Sequence, residues 1–123
     1  MSGGAFSDKR FPATTASLVD SSYAFPTDWK DIQWLRAADI EIFKDGPLKV
    51  FEGKIEPGDI KQGGLGDCYY LCVLAAIAEN KERIEKLIDL EKTNDSGIWA
   101  VNLFKNGVKQ QVIMDDFIPC RDG

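Results

Sequence analysis

The sequence predicts an α+β domain that is mainly helical, with a central buried helix and a small antiparallel sheet. Three segments carry this prediction: an apolar run over residues 68–78, an amphipathic segment over residues 81–90, and two strand-like segments around an Asn-Gly pair. The chain has 123 residues, of which 44% are hydrophobic, so it is long enough for one core rather than two.

The segments that precede the apolar run carry weaker signals. Residues 1–24 are rich in small and polar residues, so we predict a flexible or weakly docked N-terminal arm ahead of a folded domain over residues 25–123. Glycine and proline predict turns at residues 45–47 and 56–59, with a short extended segment between them at residues 48–51.

The two helices are predicted from their apolar patterns. Residues 68–78 are apolar all round, which favours a helix buried on every face, and Asp67 stands at the position of its N-cap. Residues 81–90 carry apolar side chains on one face only, which favours an amphipathic helix at the surface. That face consists of Ile84, Leu87 and Ile88.

A β-hairpin is predicted near the C-terminal end. Residues 98–104 and residues 108–114 have the composition of strands, and Asn106 and Gly107 stand between them. An Asn-Gly pair is a strong signal for a tight hairpin turn. These two strands form the predicted antiparallel sheet.

Composition and charge argue against two classes of partner. The 15 Lys and Arg residues are scattered among 20 Asp and Glu residues, which leaves a net charge of -5 and no basic stripe for nucleic acid or an anionic membrane. The longest apolar run is far shorter than the roughly 20 residues that a membrane-spanning helix needs. We expect neither a nucleic-acid partner nor a membrane span.

Histidine and cysteine counts limit the chemistry and the compartment. The chain contains no histidine, so a reaction that needs an imidazole base must obtain it from elsewhere. Its three cysteines are an odd number, and the first residues resemble neither a signal peptide nor, with Ser2, a myristoylation site. We expect a reducing, cytoplasmic location with free thiols.

The most informative site candidates are Gln62 and Cys68, which flank a glycine-rich loop. A cysteine in the first turn of a helix faces unpaired N–H groups and the positive end of the helix dipole, both of which favour a nucleophilic thiolate. The Gln62 amide and the Cys68 N–H are suited to stabilise an oxyanion during acyl transfer. From these residues alone a second interpretation stays open, in which Cys68 is only a small buried hydrophobic residue.

Residues 62–78, which read QGGLGDCYYLCVLAAIA, resemble the active-site cysteine motif of the calpains, calcium-dependent cysteine proteases with a papain-like core. The resemblance continues in family order over about residues 25–123. It includes residues 28–40, 57–60, 97–107 and 115–119. It implies the first, cysteine-bearing half of a calpain-type catalytic domain, with Cys68 as the nucleophile, Gln62 as the oxyanion-hole donor, and proteins as substrates.

Three positions depart from the family pattern. Calpains usually carry Trp where this chain has Tyr69, and commonly Phe or Leu where it has Tyr70. Tyrosine keeps an aromatic wall beside the cysteine but changes its size and hydrogen bonding. Ala37 follows Arg36 where the family has an Arg-Pro pair, which affects the stiffness of the local backbone.

The resemblance also implies a partner, since the second half of a calpain core carries the His that acts as base and the Asn that orients it. Two explanations stay open: the chain is a piece of a longer protease, or it is a short relative that serves as a non-enzymatic regulatory or interaction module. We expect the chain to be inactive alone, and to self-associate through an apolar face that the second half normally covers.

A calcium site is implied by the resemblance. Its ligands map to the backbone carbonyls of Phe51 and Gly53 and to the carboxylate of Asp59. Calcium takes about six to eight oxygen ligands, and the family's second acidic ligand is expected beyond residue 123, so the predicted site is partial and weak. The alternative is that these are ordinary turn residues.

Overall fold

The computed structural model describes residues 5–19, 22, 29, 31–40, 49–51 and 53–121. Their regular elements are strands β1 (Gln33–Arg36), β2 (Trp99–Lys105), β3 (Val108–Met114) and β4 (Phe117–Cys120), and helices α1 (Cys68–Ala78) and α2 (Lys81–Glu85). Short 3-10 turns span Thr15–Ser17, Ala37–Asp39 and Pro57–Asp59. Within these residues, no helix has the length and apolar character that crossing a membrane requires.

The α+β class is confirmed, whereas a mainly helical composition is not. Helix α2 ends at Glu85 instead of continuing to residue 90. Beyond it, the backbone pairs with the free edge of β2: the Asp89 N–H donates to the Ala100 carbonyl at 2.8 Å, and the Asn102 N–H donates to the Leu87 carbonyl at 2.6 Å. These strand-type bonds replace the last predicted helical turns, because tertiary pairing outweighs a weak local preference for helix.

Helix α1 has the predicted bounds but not the predicted burial. Among the described elements, it packs mainly against α2 and the Pro57–Asp59 turn. Tyr69 is 77% exposed and Val73 is 55% exposed, although Ala78 is buried. The expectation of burial on every face is therefore wrong for this chain, because the described residues supply too little structure to surround the helix.

The predicted hairpin is confirmed as the β2–β3 pair. Its antiparallel register runs from Trp99 opposite Met114 to Lys105 opposite Val108. Asn106 and Gly107 form the turn with φ angles of 52° and 76°. Two consecutive positive φ angles are the requirement of a type I′ turn, which explains the Asn-Gly pair.

A second, unpredicted sheet pairs β1 with β4. Arg36 lies opposite Phe117 in this antiparallel pair. The Arg36 guanidinium forms an ion pair with Asp116 at 2.5 Å and lies over the Phe117 ring, 4.1 Å from its centroid. The two strands are about eighty residues apart in the sequence, and neither contains a local pattern that predicts their pairing.

Residues of the predicted N-terminal arm contact β1 and the segments that precede β2 and β4. The Phe6 N–H donates to the Ser96 carbonyl at 2.8 Å, and the N–H of the buried Asp8 donates to the Asp115 carboxylate at 2.7 Å. The Phe11 ring meets the Trp34 ring edge to face at 6.4 Å. The boundary at residue 24 stays a prediction, since residues 23–28 lie outside the described ranges.

The apolar core of the described residues is small. Its buried members are Ala37, Ile40, Ala78, Ile84 and Ala100, and no large side chain among the described residues is fully buried. Several large apolar side chains are instead exposed, including Phe104 and Val108 at the hairpin tip. This distribution supports the expectation that the chain presents apolar surface to a partner.

Candidate active site

Cys68 is the first residue of α1, and its thiol is exposed. Asp67 occupies the N-cap position, where its carbonyl accepts from the N–H groups of Tyr70 at 2.9 Å and Leu71 at 3.1 Å. Its carboxylate makes no capping bond, contrary to the usual role of an N-cap aspartate. The Cys68 N–H has no partner in the described part of the chain, so it is available to a ligand.

The Gln62 side chain is held by a hydrogen bond within the glycine-rich loop. Its amide nitrogen Nε2 donates to the Leu65 carbonyl at 3.0 Å, and both residues precede Cys68 in the glycine-rich loop. A side-chain amide carries two N–H groups, so this bond orients the amide and leaves one donor uncommitted.

The loop between Gln62 and Cys68 presents an open surface. A side-chain carbon added at Gly63 or Gly66 would meet no atom within 4 Å, and one at Gly64 would meet only the Arg121 guanidinium at 3.9 Å. These glycines are therefore not required by packing within the described residues. Their absence of side chains keeps space free in front of the helix terminus, where an extended backbone could approach.

A groove of about 520 Å³ lies beside this loop. One part of its lining is Gly63, Gly64, Leu65 and Asp67, and the rest is Leu18, Trp29, Ile32 and residues 118–121. The Asp67 oxygen Oδ1 is buried and has no hydrogen-bond partner among the described residues. Because buried carboxylate oxygens are normally hydrogen-bonded, Asp67 offers an acceptor next to the candidate nucleophile.

The predicted calcium ligands do not form a complete site. Asp59 already uses one carboxylate oxygen to accept from the Glu56 N–H at 2.9 Å, in a capping box around the Pro57–Asp59 turn. Gly53 has a positive φ of 66°, as expected of a turn. The described residues contain no cluster of three or more acidic, cysteine or histidine side chains that could hold a metal. The donor set does not fit a full calcium shell, and its assignment stays a prediction.

The other two cysteines have different surroundings. Cys72 lies one helical turn after Cys68 on α1 and is exposed. Cys120 is half-buried in β4, where its Sγ lies 3.5 Å from the Ile118 carbonyl. All three cysteines are free thiols.

A polar network that the sequence did not reveal joins the hairpin to the segment after α2. The Gln111 amide donates to Asp89 at 2.8 Å and to the buried Asn102 at 3.1 Å, and Asn102 donates to the Lys86 carbonyl at 3.2 Å. The bond from Gln111, with the nearby charge of Lys92, holds the pKa of the Asp89 carboxyl below its ordinary value of 3.8 despite partial desolvation. Asn102 and Gln111 meet because they lie opposite each other in the β2–β3 register, which the local sequence does not reveal.

Comparison with known proteins places these features in a family context. The family model described as "Calpain family cysteine protease" matches residues 6–123. The chain is 33% identical over 120 residues to the calpain-type cysteine protease DEK1 of Zea mays, which covers 94% of this chain and 5% of that protein.

Two animal proteins show similar relationships. Identity to the calpain-2 catalytic subunit of Bos taurus is 30% over 125 residues, covering 98% of this chain and 17% of that protein. Identity to calpain-10 of Rattus norvegicus is 30% over 128 aligned residues, covering 96% of this chain and 18% of that protein. The chain thus spans less than a fifth of each relative.

The family match begins at Phe6, well before the resemblance noted from residue 25. Composition gives little sign of this part of the family domain, because small and polar residues dominate it. The aromatic residues Phe6 and Phe11 were the available signal, since the Phe6 N–H donates to Ser96 and the Phe11 ring contacts Trp34.

Proposed function

This chain belongs to the calpain family of cysteine proteases, and we propose that it supplies the nucleophile-bearing half of a calcium-dependent endopeptidase core. Cys68 is the nucleophile and Gln62 is the oxyanion-hole donor. The observation that carries this proposal is an exposed thiol on the first residue of α1, directly after an open glycine-rich loop. The substrates are proteins, cleaved within an extended stretch of backbone.

The chemistry assigned to Cys68 is nucleophilic acyl transfer. The thiolate attacks the peptide carbonyl carbon, and the carbonyl oxygen becomes an oxyanion that accepts from the Cys68 N–H and the uncommitted N–H of Gln62. The C–N bond then breaks, and the leaving amine takes a proton from a protonated histidine. Water hydrolyses the resulting thioester and regenerates the thiol.

The histidine and the asparagine that orients it come from a second half of the core, in a different polypeptide segment. The absence of histidine from these 123 residues supports this division, as does the much greater length of the relatives. Without a base, we expect Cys68 to be alkylated by electrophiles but not to turn over a peptide.

Calcium dependence is proposed only because calpains are calcium-dependent proteases. Phe51, Gly53 and Asp59 would contribute a partial shell, and no chemical step depends on them. The odd cysteine count supports the related proposal of a reducing, cytoplasmic compartment.

A second candidate function is a regulatory or interaction module that performs no chemistry. The exposed apolar side chains on α1, led by Tyr69 and Val73, favour it, because such surface is typical of a binding face. The two functions differ in what they require of Cys68, since only the protease needs an activated thiol.

Selective alkylation tests the protease proposal. The intact chain is treated with iodoacetamide over a range of pH values, and adducts at Cys68, Cys72 and Cys120 are quantified by mass spectrometry. We expect Cys68 to be alkylated faster than the other two, because its exposed thiol stands on the first residue of α1, directly after the open glycine-rich loop. Cys72 is the matched control, as an exposed thiol on the same helix but away from its terminus.

Two results would contradict the protease proposal. One is equal labelling of Cys68 and Cys72 in the folded chain, and the other is labelling of Cys68 only after denaturation. Either result favours the interaction module. A Cys68→Ser variant verifies the assignment of the adduct.

A further inference from the structure

We propose that Cys68 and Cys72 form a reversible thiol–disulfide pair on the first turn of α1, with a hydroperoxide as the oxidant. Cys72 has no part in the protease chemistry described above, yet its thiol is exposed one helical turn after the nucleophile. The formation of the disulfide is a property of the two thiols alone. Its consequence, reversible blocking of the nucleophile, rests on the proposed function.

The helix places the two thiols on one face. Residues four apart on an α-helix are neighbours, with Cβ atoms about 5–6 Å apart. Cys120 is less suited to join Cys68, because it is half-buried in β4 with its Sγ against the Ile118 carbonyl. Among the three cysteines, Cys72 is therefore the expected resolving thiol.

A disulfide needs Cβ atoms about 3.5–4.5 Å apart, so the first turn of α1 must open to bring the sulfurs together. Opening the turn breaks the bonds that the Asp67 carbonyl accepts from the Tyr70 and Leu71 N–H groups at 2.9 and 3.1 Å, but few other contacts among the described residues oppose it. The Cys68 N–H has no partner in the described part of the chain, and the Asp67 carboxylate does not cap the helix. Tyr69 and Val73 are 77% and 55% exposed, so little side-chain packing holds the turn in place.

The loop before the helix can follow this movement. Added side-chain carbons at Gly63 and Gly66 would meet no atom within 4 Å, so packing at these two positions does not oppose a shift of the loop. Gln62 closes the loop through its bond to Leu65, three residues before Cys68, so displacement of Cys68 need not break that bond.

The reaction balances in two steps. The Cys68 thiolate attacks the terminal oxygen of the hydroperoxide, an S–O bond forms, the O–O bond breaks, and the alcohol leaves with a proton. The Cys72 thiolate then attacks the sulfenic sulfur, the S–S bond forms, the S–O bond breaks, and water leaves. Overall, two thiols are oxidised to one disulfide while the hydroperoxide is reduced to alcohol and water. A dithiol reductant reverses the change.

This pairing would protect the nucleophile. A sulfenic acid without a nearby thiol proceeds to sulfinic and sulfonic acids, which thiol reductants do not reverse. Capture by Cys72 stops oxidation at the disulfide, so the nucleophile is blocked but recoverable.

Peroxide oxidation of the full 123-residue chain tests the pair. The folded protein is treated with hydrogen peroxide, quenched with catalase, alkylated with iodoacetamide and analysed by peptide mass spectrometry without reduction. We expect the loss of two hydrogen atoms per chain, with alkylation lost together from Cys68 and Cys72 and retained at Cys120. Dithiothreitol should restore both alkylation sites.

Cys72→Ser is the matched variant, and Cys72→Ala is a second one in case serine perturbs the helix. In both, we expect no disulfide, labelling of the Cys68 sulfenic acid when dimedone is present, and a several-fold increase in sulfinic and sulfonic Cys68 when dimedone is left out. Cys120→Ser should leave the disulfide unchanged. Circular dichroism before oxidation verifies that each variant retains its helices.

Three results would overturn the pair: a Cys68–Cys120 or interchain disulfide, no oxidation of Cys68, or equal yields of irreversibly oxidised Cys68 with and without Cys72. Failure of the pair leaves the selective iodoacetamide labelling of unoxidised Cys68 intact. Failure of the protease proposal removes that selectivity before any oxidant is added, so the two outcomes are distinguishable.

Discussion

Gly97 lies so close to Arg36 that a side-chain carbon at position 97 would stand 2.6 Å from the guanidinium nitrogen Nη1. The same carbon would stand 2.8 Å from the Asp116 oxygen that pairs with this arginine. Gly97 also has a positive φ of 80°. The turn before β2 and the ion pair between β1 and the residue that precedes β4 therefore depend on one glycine.

Gly97→Ala should lower the free energy of unfolding by about 3 kcal/mol or more, because it combines backbone strain with a clash against the ion pair. Urea denaturation followed by tryptophan fluorescence measures the change. Gly107→Ala is the control, since Gly107 shares the positive φ but an added carbon there meets nothing within 4 Å. We expect the control to cost about 1–2 kcal/mol. Equal losses in the two variants would show that the clash is absent.

Asp116→Asn should destabilise the chain by about 3 kcal/mol, because it leaves the largely buried Arg36 guanidinium without its counter-charge. The measurement is the same urea titration. Glu85→Gln removes the exposed ion pair with Lys81 and should change stability by less than about 1 kcal/mol. A loss for Asp116→Asn no greater than that of this control would contradict a structural role for the Arg36 pair.

Gln111→Met should raise the pKa of Asp89 towards 3.8, since the hydrogen bond from Gln111 is the main cause that lowers it. A carboxyl whose pKa is lower in the folded chain than in the unfolded chain stabilises the folded state at pH values above the unfolded pKa. This stabilisation is lost as the pH falls through the folded pKa. The difference in stability between the wild-type chain and the variant should therefore shrink below pH 3.8.

Carboxyl titration by NMR measures the Asp89 pKa directly, and urea titrations at several pH values measure the linkage. Gln110→Met is the control, because Gln110 is the neighbouring exposed glutamine and lies opposite Leu103 in the hairpin. A pKa for Asp89 that is equal in the two variants would show that Gln111 does not act on it.

Val73→Gln should weaken self-association of the isolated chain about tenfold, because burial of one valine side chain contributes about 1.5 kcal/mol. Val73 is 55% exposed on the uncovered face of α1. Sedimentation velocity over a range of concentrations measures the dissociation constant. Glu79→Gln, a polar change at the end of the same helix, should leave it unchanged. A wild-type chain that stays monomeric at all concentrations would contradict the prediction.

The sequence predicted those parts of the candidate site that depend only on neighbouring residues. The glycine-rich loop and the apolar run meet at Cys68, so the start of α1 at Cys68 followed from composition alone. Two features depend on the loop conformation, which the glycines leave undetermined. One is the bond from Gln62 to Leu65, and the other is that the Asp67 carboxylate does not cap α1.

The bounds of α1 and the position of the β2–β3 turn were determined by the sequence itself, because an apolar run and an Asn-Gly turn act over neighbouring residues. Tertiary structure alone decided where α2 ends, which face of α1 stays exposed, and that β1 pairs with β4. Each depends on the free energy of contacts between distant segments. Arg36 and Asp116 are eighty residues apart in the sequence, and no local periodicity around either residue predicts their contact.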